Sequence, residues 1–193
     1  MAVAVPMKEV RPYGSIVMQA PQSWFQDGTA REYCFYYYPA GGGPPTLHVR
    51  RDDFVYKPED GAPPPGAMKA ATGGDAATEE LYQRFAELVP ALDQPDIVGY
   101  SKEPRSPIGQ VVRYNRQGEL NGQPGVAHWW LRAIKTHDSF TVLTCTLELY
   151  ADGYVNPETQ ALINAIDRSV AEARILSLEE AAAMAPSAQE VAH

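Results

Sequence analysis

Residues 126–175 read VAHWWLRAIKTHDSFTVLTCTLELYADGYVNPETQALINAIDRSVAEARI, and their reading decides the fold. From Phe140 to Tyr150 the chain is aromatic, β-branched and aliphatic, without Gly or Pro, which is strand composition. Leu143, Cys145, Leu147 and Leu149 are apolar, while Thr144, Thr146 and Glu148 between them are polar, so one face should meet a core and the other a wetter surface. Upstream, Ala127, Trp129, Leu131 and Ala133 share one parity, and His128, Trp130 and Arg132 the other. If the two strands share a dry face, odd residues oppose odd ones. A three-residue loop, His137-Asp138-Ser139, then sets Leu131 opposite Cys145 and Trp129 opposite Leu147. Asn156-Pro157-Glu158 opens a helix with an N-cap, a proline at the first helical position and an acid in the first turn. Its stripe of Leu162, Ile163, Ile166, Val170 and Ala173 is expected on the odd face of the hairpin.

Working outward, Ser15–Ala20, Arg31–Tyr38, Thr46–Tyr56, Ile97–Lys102 and Ile108–Gln117 read as further strands. The aromatic-rich Arg31–Tyr38 strand is expected to be central. Its Tyr36, Tyr37 and Tyr38 suit packing, with a ligand-stacking platform as the alternative. Thr78 caps a helix with an apolar stripe of Leu81, Phe85 and Leu88. Gly118 and Asn121-Gly122 supply turn chemistry. The order predicts an α+β fold, a central antiparallel sheet with helices packed on it as an α/β/α sandwich. Residues 1–12 read as an N-terminal extension and 13–176 as one domain interrupted by a flexible, Pro/Gly-rich loop at 57–77. Residues 177–193 read as an Ala-rich helical extension, continuing the closing helix for a turn or two, and a disordered tail.

Composition excludes several classes. The chain is acidic, with 16 Lys plus Arg against 24 Asp plus Glu in 193 residues. Nucleic-acid binding, which needs clustered cations, is therefore not expected. Residues 1–12 do not read as a secretion leader and no run reads as a membrane span, so the expectation is a soluble, cytoplasmic protein. Cys34 and Cys145 are read as buried free thiols in a reducing compartment.

Catalytic motifs are missing. The Gly41-Gly42-Gly43-Pro44-Pro45 run lacks the Lys and Ser/Thr of a phosphate loop, and no nucleophile elbow occurs. Neither cysteine has an obvious local base. His48, His128, His137 and His193 are scattered, although His128, His137 and Asp138 flank one hairpin strand. Arg50-Arg51-Asp52-Asp53 reads as a solvated strand face or a bulge, because neighbouring strand residues point opposite ways. No metal or cofactor is expected. The candidate site is the even face of the hairpin. His128, Trp130, Arg132, Thr144, Thr146 and Glu148 form one patch there, with Trp130 as anchor and Arg132 and Glu148 setting polarity. The bland alternative puts Trp130 under a helix.

Several short signatures give a resemblance. A strand followed by Pro21-x-x-Trp24, a mid-chain helix after a loop, a strand carrying Arg113-Tyr114, and a strand ending in Val142-Leu143-Thr144 before a closing helix with Asp167-Arg168-Ser169-Val170 resemble PsbP-like and DcrB-like domains. The resemblance spans Tyr13 to Ile175 by element order, and this chain departs from it in the 57–77 loop and the Ala-rich tail. It implies an α/β/α sandwich and a mostly non-enzymatic group. That group includes a photosystem extrinsic subunit, a Ran-GTPase nucleotide-release factor and the Eag effector-associated chaperones of type VI secretion. The functional expectation is a non-catalytic protein-binding factor: a chaperone, adaptor or immunity-like protein. Its partner is another protein, with a homodimer among the candidates. The alternative is a small-molecule-binding protein or minor enzyme with a pocket between sheet and loop.

Overall fold

The computed structural model describes residues 4–28, 34–55, 83–90, 94–100, 111–135 and 139–184. The expected 57–77 loop and the His137-Asp138 turn lie outside them. A three-stranded antiparallel sheet has the order β1–β2–β10, built from Met7–Val10 (β1), Ile16–Pro21 (β2) and Arg174–Ile175 (β10). A seven-stranded antiparallel sheet comprises Phe25–Asp27 (β3), Phe35–Tyr38 (β4), Thr46–Val55 (β5), Ile97–Tyr100 (β6), Val111–Leu120 (β7), Gln123–Lys135 (β8) and Ser139–Tyr150 (β9). Its order is β3–β4–β5–β9–β8–β7–β6. Residues 83–88 are helical (α1), followed later by Pro157–Glu172 (α2) and Leu178–Met184 (α3).

Two dry layers flank the large sheet. On one side α2 and the small sheet close over Leu47, Val49, Cys145, Leu147 and Trp130. On the other, Phe85 of α1 packs with Val112, Leu131, Ala133, Phe140 and Val142. The α+β architecture with helices against the sheet is thus as the sequence predicts.

Local chemistry explains the termini and turns. The Asn156 side chain accepts from the Glu158 N–H at 3.0 Å, and Pro157 follows it, so α2 starts where expected. Leu162, Ile163, Ile166 and Val170 are its buried stripe. Asn121 and Gly122 both have positive φ, 52° and 78°, as a two-residue hairpin turn demands between β7 and β8. The Ser177–Glu180 stretch does not prolong α2. Instead β10 intervenes, and Ser177 and Glu180 form a reciprocal capping box, with Glu180 N–H to Ser177 Oγ at 3.1 Å and Ser177 N–H to Glu180 Oε2 at 2.9 Å.

Two expectations are corrected. β9, rather than β4, lies at the middle of the sheet. The aromatics of β4 divide between faces: Phe35 and Tyr37 are buried under the α2 layer, while Tyr36 is 37% exposed on the other side. The hairpin register also differs. Trp130 pairs with Cys145, Leu131 with Thr144 and Lys135 with Phe140, so odd residues of β8 oppose even residues of β9. The reason is that both faces of β8 are covered. A rule that pairs apolar with apolar cannot choose a register when each face carries a tryptophan and meets a core.

Candidate functional site

The register divides the six expected site residues. His128, Trp130 and Arg132 lie on the α2 face, paired with Leu147, Cys145 and Leu143. Thr144, Thr146 and Glu148 lie on the opposite face, paired with Leu131, Trp129 and Ala127. They do not form one patch. Trp130 is 2% exposed, so it is core and not a surface anchor.

The first three line the underside of α2 from one end to the other. His128 stacks between Trp130 and Tyr154, with centroids 5.7 and 5.3 Å away, and its buried Nε2 has no partner. Burial lowers its pKa to about 4 against the opposing pull of Asp167. The Trp130 indole N–H donates to Asp167 Oδ1 at 2.8 Å. Arg113, the β7 neighbour of Trp130, grips the same carboxylate with two guanidinium nitrogens. Burial would raise the Asp167 pKa, but these bonds outweigh it and hold the carboxyl below its ordinary value. Arg132 donates to the Val170 carbonyl at 2.7 Å, near the negative end of the helix. This row therefore docks a helix. Arg113 and Asp167 both stand in the short signatures quoted above, but nothing in the sequence joins them.

On the opposite face, His48 Nε2 lies 3.3 Å from Glu148 Oε2, and its ring packs edge-on against Tyr36 at 4.9 Å. Glu148 also lines a small pocket of about 190 Å³ with Trp129 and Arg116. The two adjacent tryptophans thus exchange the roles expected of them. Trp129, stacked on Tyr114 at 5.8 Å, is the half-buried one.

A larger concavity than this lies outside both faces of the sheet. A groove of about 630 Å³ runs between the outer side of α2 and the N-terminal segment. Its helix wall is Gln160, Ala161, Asn164, Ala165, Arg168 and Glu172, spaced three or four apart and so on one helix face. Ala4, Val5 and Met7 form the other wall, with Gln19 and Ser169 below. The base is fixed by Ser169, whose Oγ accepts from the Gln19 N–H at 2.8 Å and donates to the Gln19 carbonyl at 2.7 Å. Val5 also borders a second cavity of about 530 Å³ lined by Pro6, Pro21, Trp24, Pro45 and Leu162. Small and amide residues at helical spacing on the far side of α2 were the available sequence signal, hidden because that face reads as plain solvent exposure. Among the described residues, no three His, Cys, Asp or Glu side chains are arranged to hold a metal.

No known family matches the sequence, and no curated protein is similar to it. Solved structures are similar in fold. A protein of Bacteroides thetaiotaomicron, solved at 1.50 Å, aligns over 90% of this chain with 11% identity and a TM-score of 0.50. This chain spans about half of that protein, 50% of its length. The Ran-binding protein Mog1p of Saccharomyces cerevisiae aligns over 91% of this chain and 98% of its own, with 13% identity and a TM-score of 0.48. PsbP (CyanoP) of Synechocystis aligns over 90% and 94%, with 13% identity and a TM-score of 0.41. These are likenesses of fold. Among the described residues, no helix is long and apolar enough to cross a membrane.

Proposed function

We propose that this chain is a non-catalytic protein-binding factor that holds an extended segment of a partner protein in the groove between β1 and α2. The observation carrying this reading is that one face of α2 lines the groove from Pro157 to Glu172, the helix's whole length. At the α-helical rise that is about 22 Å, or roughly six to seven residues of extended chain. Ala161 and Ala165 let a main chain approach closely. Gln19 and Asn164 offer amides to its N–H and C=O groups, and Arg168 and Glu172 supply one charge of each sign. The neighbouring cavity over Trp24 and its prolines suits an apolar anchor side chain.

The test is selection of peptides from a random heptapeptide display library on the wild-type protein, followed by affinity measurement. Ala165→Arg, which fills the groove with a long side chain, should weaken the selected peptides at least tenfold while leaving the thermal melt within a degree or two. Unchanged affinity in Ala165→Arg and in Ala161→Arg would remove the groove from the reading. The alternative of a small-molecule pocket between sheet and loop concerns residues 57–77, which lie outside the described residues.

A further inference from the structure

On the face that carries Trp129, the β7–β8 hairpin is built from residues too small to cover the sheet. Gly118 stands opposite Gly125 there, and Arg116 opposite Ala127. A glycine inside a strand packs nothing and marks a place where something else comes close. At Gly125 the chain itself comes close: Leu120 folds over it, and a Cβ there would lie 2.5 Å from Leu120 Cγ. At Gly118 nothing does, because a Cβ there would meet no atom within 4 Å. The pocket of about 190 Å³ lies over Gly118 and Ala127.

The walls carry opposite charges. Ala127 has Arg116 on one side and Glu148 on the other, in the two strands that flank β8. At the ordinary strand spacing these two backbones are about 10 Å apart. Trp129, two residues along β8, closes one end of the pocket and Leu120 the other. A guanidinium is permanently charged, and the hydrogen bond from His48 outweighs burial to hold the Glu148 carboxyl below its ordinary value. Each charge is steadied by a neighbour: Glu148 by His48 at 3.3 Å, Arg116 by Asp96 and Gln94, both at 2.9 Å. A carboxylate has two oxygens and a guanidinium five N–H groups, so these bonds leave capacity on both. The Trp129 indole N–H is buried and meets no acceptor among the described residues. Such donors are rare in folded chains, and one in a pocket wall calls for an acceptor from outside the chain.

We infer that this pocket is a binding site for a free α-amino acid with an apolar side chain. The carboxylate of the ligand meets Arg116, its ammonium meets Glu148, and its side chain lies between Trp129 and Leu120. The two charges select a zwitterion. A simple anion would face Glu148 as well as Arg116, and a simple cation the reverse, whereas an amino acid carries one charge for each wall. Size agrees with this. At about 30 Å³ for each water in the liquid, the pocket holds the equivalent of roughly six waters, which is one small molecule and not a stretch of chain. The site is independent of the α2 groove, with which it shares no lining residue.

L-Leucine is the probe, titrated into the full chain by isothermal calorimetry, and one saturable site is expected. Leucinamide, which lacks the carboxylate, and N-acetyl-leucine, which lacks the ammonium, should each bind about tenfold more weakly or worse. Arg116→Gln should erase the preference for leucine over leucinamide, and Glu148→Gln the preference over N-acetyl-leucine. A variant that merely loosened the fold would not exchange the two preferences in this way. Gly118→Leu fills the pocket at a position with ordinary strand backbone and open space for a side chain, so it should abolish binding while the thermal melt stays level or rises. Ala165→Arg, in the α2 groove, should leave leucine binding unchanged. Absence of saturable binding by L-leucine, equal binding of leucine and its two blocked forms, or wild-type affinity in Gly118→Leu would overturn the inference.

Discussion

Asp167 is the residue on which the closing helix turns. It takes the indole N–H of Trp130 and the guanidinium of Arg113 from two neighbouring strands. Removing its carboxylate leaves the Trp130 donor, in a side chain 2% exposed, without an acceptor, and an unmet buried donor costs about 1–3 kcal/mol. Arg113 is 40% exposed, so water replaces most of what it loses. Asp167→Ala is therefore expected to lower urea-melt stability by about 1–3 kcal/mol, with Asp167→Asn recovering part of the loss because its amide oxygen still accepts from the indole. Asp167→Ala melting with the wild type would mean that the Trp130 bond contributes nothing net. Neither partner could be read from sequence, because Arg113 and Asp167 are 54 positions apart and meet only through register.

At the scale of elements, polarity along β9 records which part of each face a helix covers. Its odd residues from Leu143 to Leu149 are buried under the α2 layer throughout. Its even residues begin apolar, at Phe140 and Val142 beneath Phe85, and turn polar at Thr144, Thr146 and Glu148. The alternation that places Leu147 under α2 was legible for that reason, and so was the capped start of α2 at Asn156. Leu147→Ala should cost about 2–5 kcal/mol in a chemical melt, and Thr146→Ala clearly less. Similar losses would deny the face assignment. The parity of β8 was not legible, since Trp129 and Trp130 each find a dry surface and only the pairing of Lys135 with Phe140 decides between them. The two tryptophans now make opposite predictions from those that patterning suggests. Trp130→Ala should destabilise by about 3–5 kcal/mol, whereas Trp129→Ala, from a half-buried position, should cost less. A larger loss at Trp129 would return the register to the odd-with-odd arrangement.

For the whole molecule, the dependence of stability on pH follows from two histidines shifted in opposite directions. His128 is buried between two aromatic rings, and its pKa falls to about 4 from an unfolded value of about 6.5. The unfolded chain then binds a proton that the folded one refuses. The contribution is complete above about pH 6.5 and is lost progressively as pH falls towards 4, up to about 3 kcal/mol in all. His48 behaves in the reverse sense. Its pKa of about 9 in the folded state lies above the unfolded value, so its contribution is complete below about pH 6.5 and disappears as pH rises through 9. Together they place the stability maximum near neutrality, with an acid limb set by the underside of α2 and an alkaline limb set by the His48–Glu148 pair. Chemical melts across the pH range should show His128→Phe flattening the acid limb and leaving the alkaline one, and His48→Gln doing the converse. An acid limb unchanged in a folded His128→Phe variant would show that carboxylates elsewhere, rather than this histidine, govern acid unfolding.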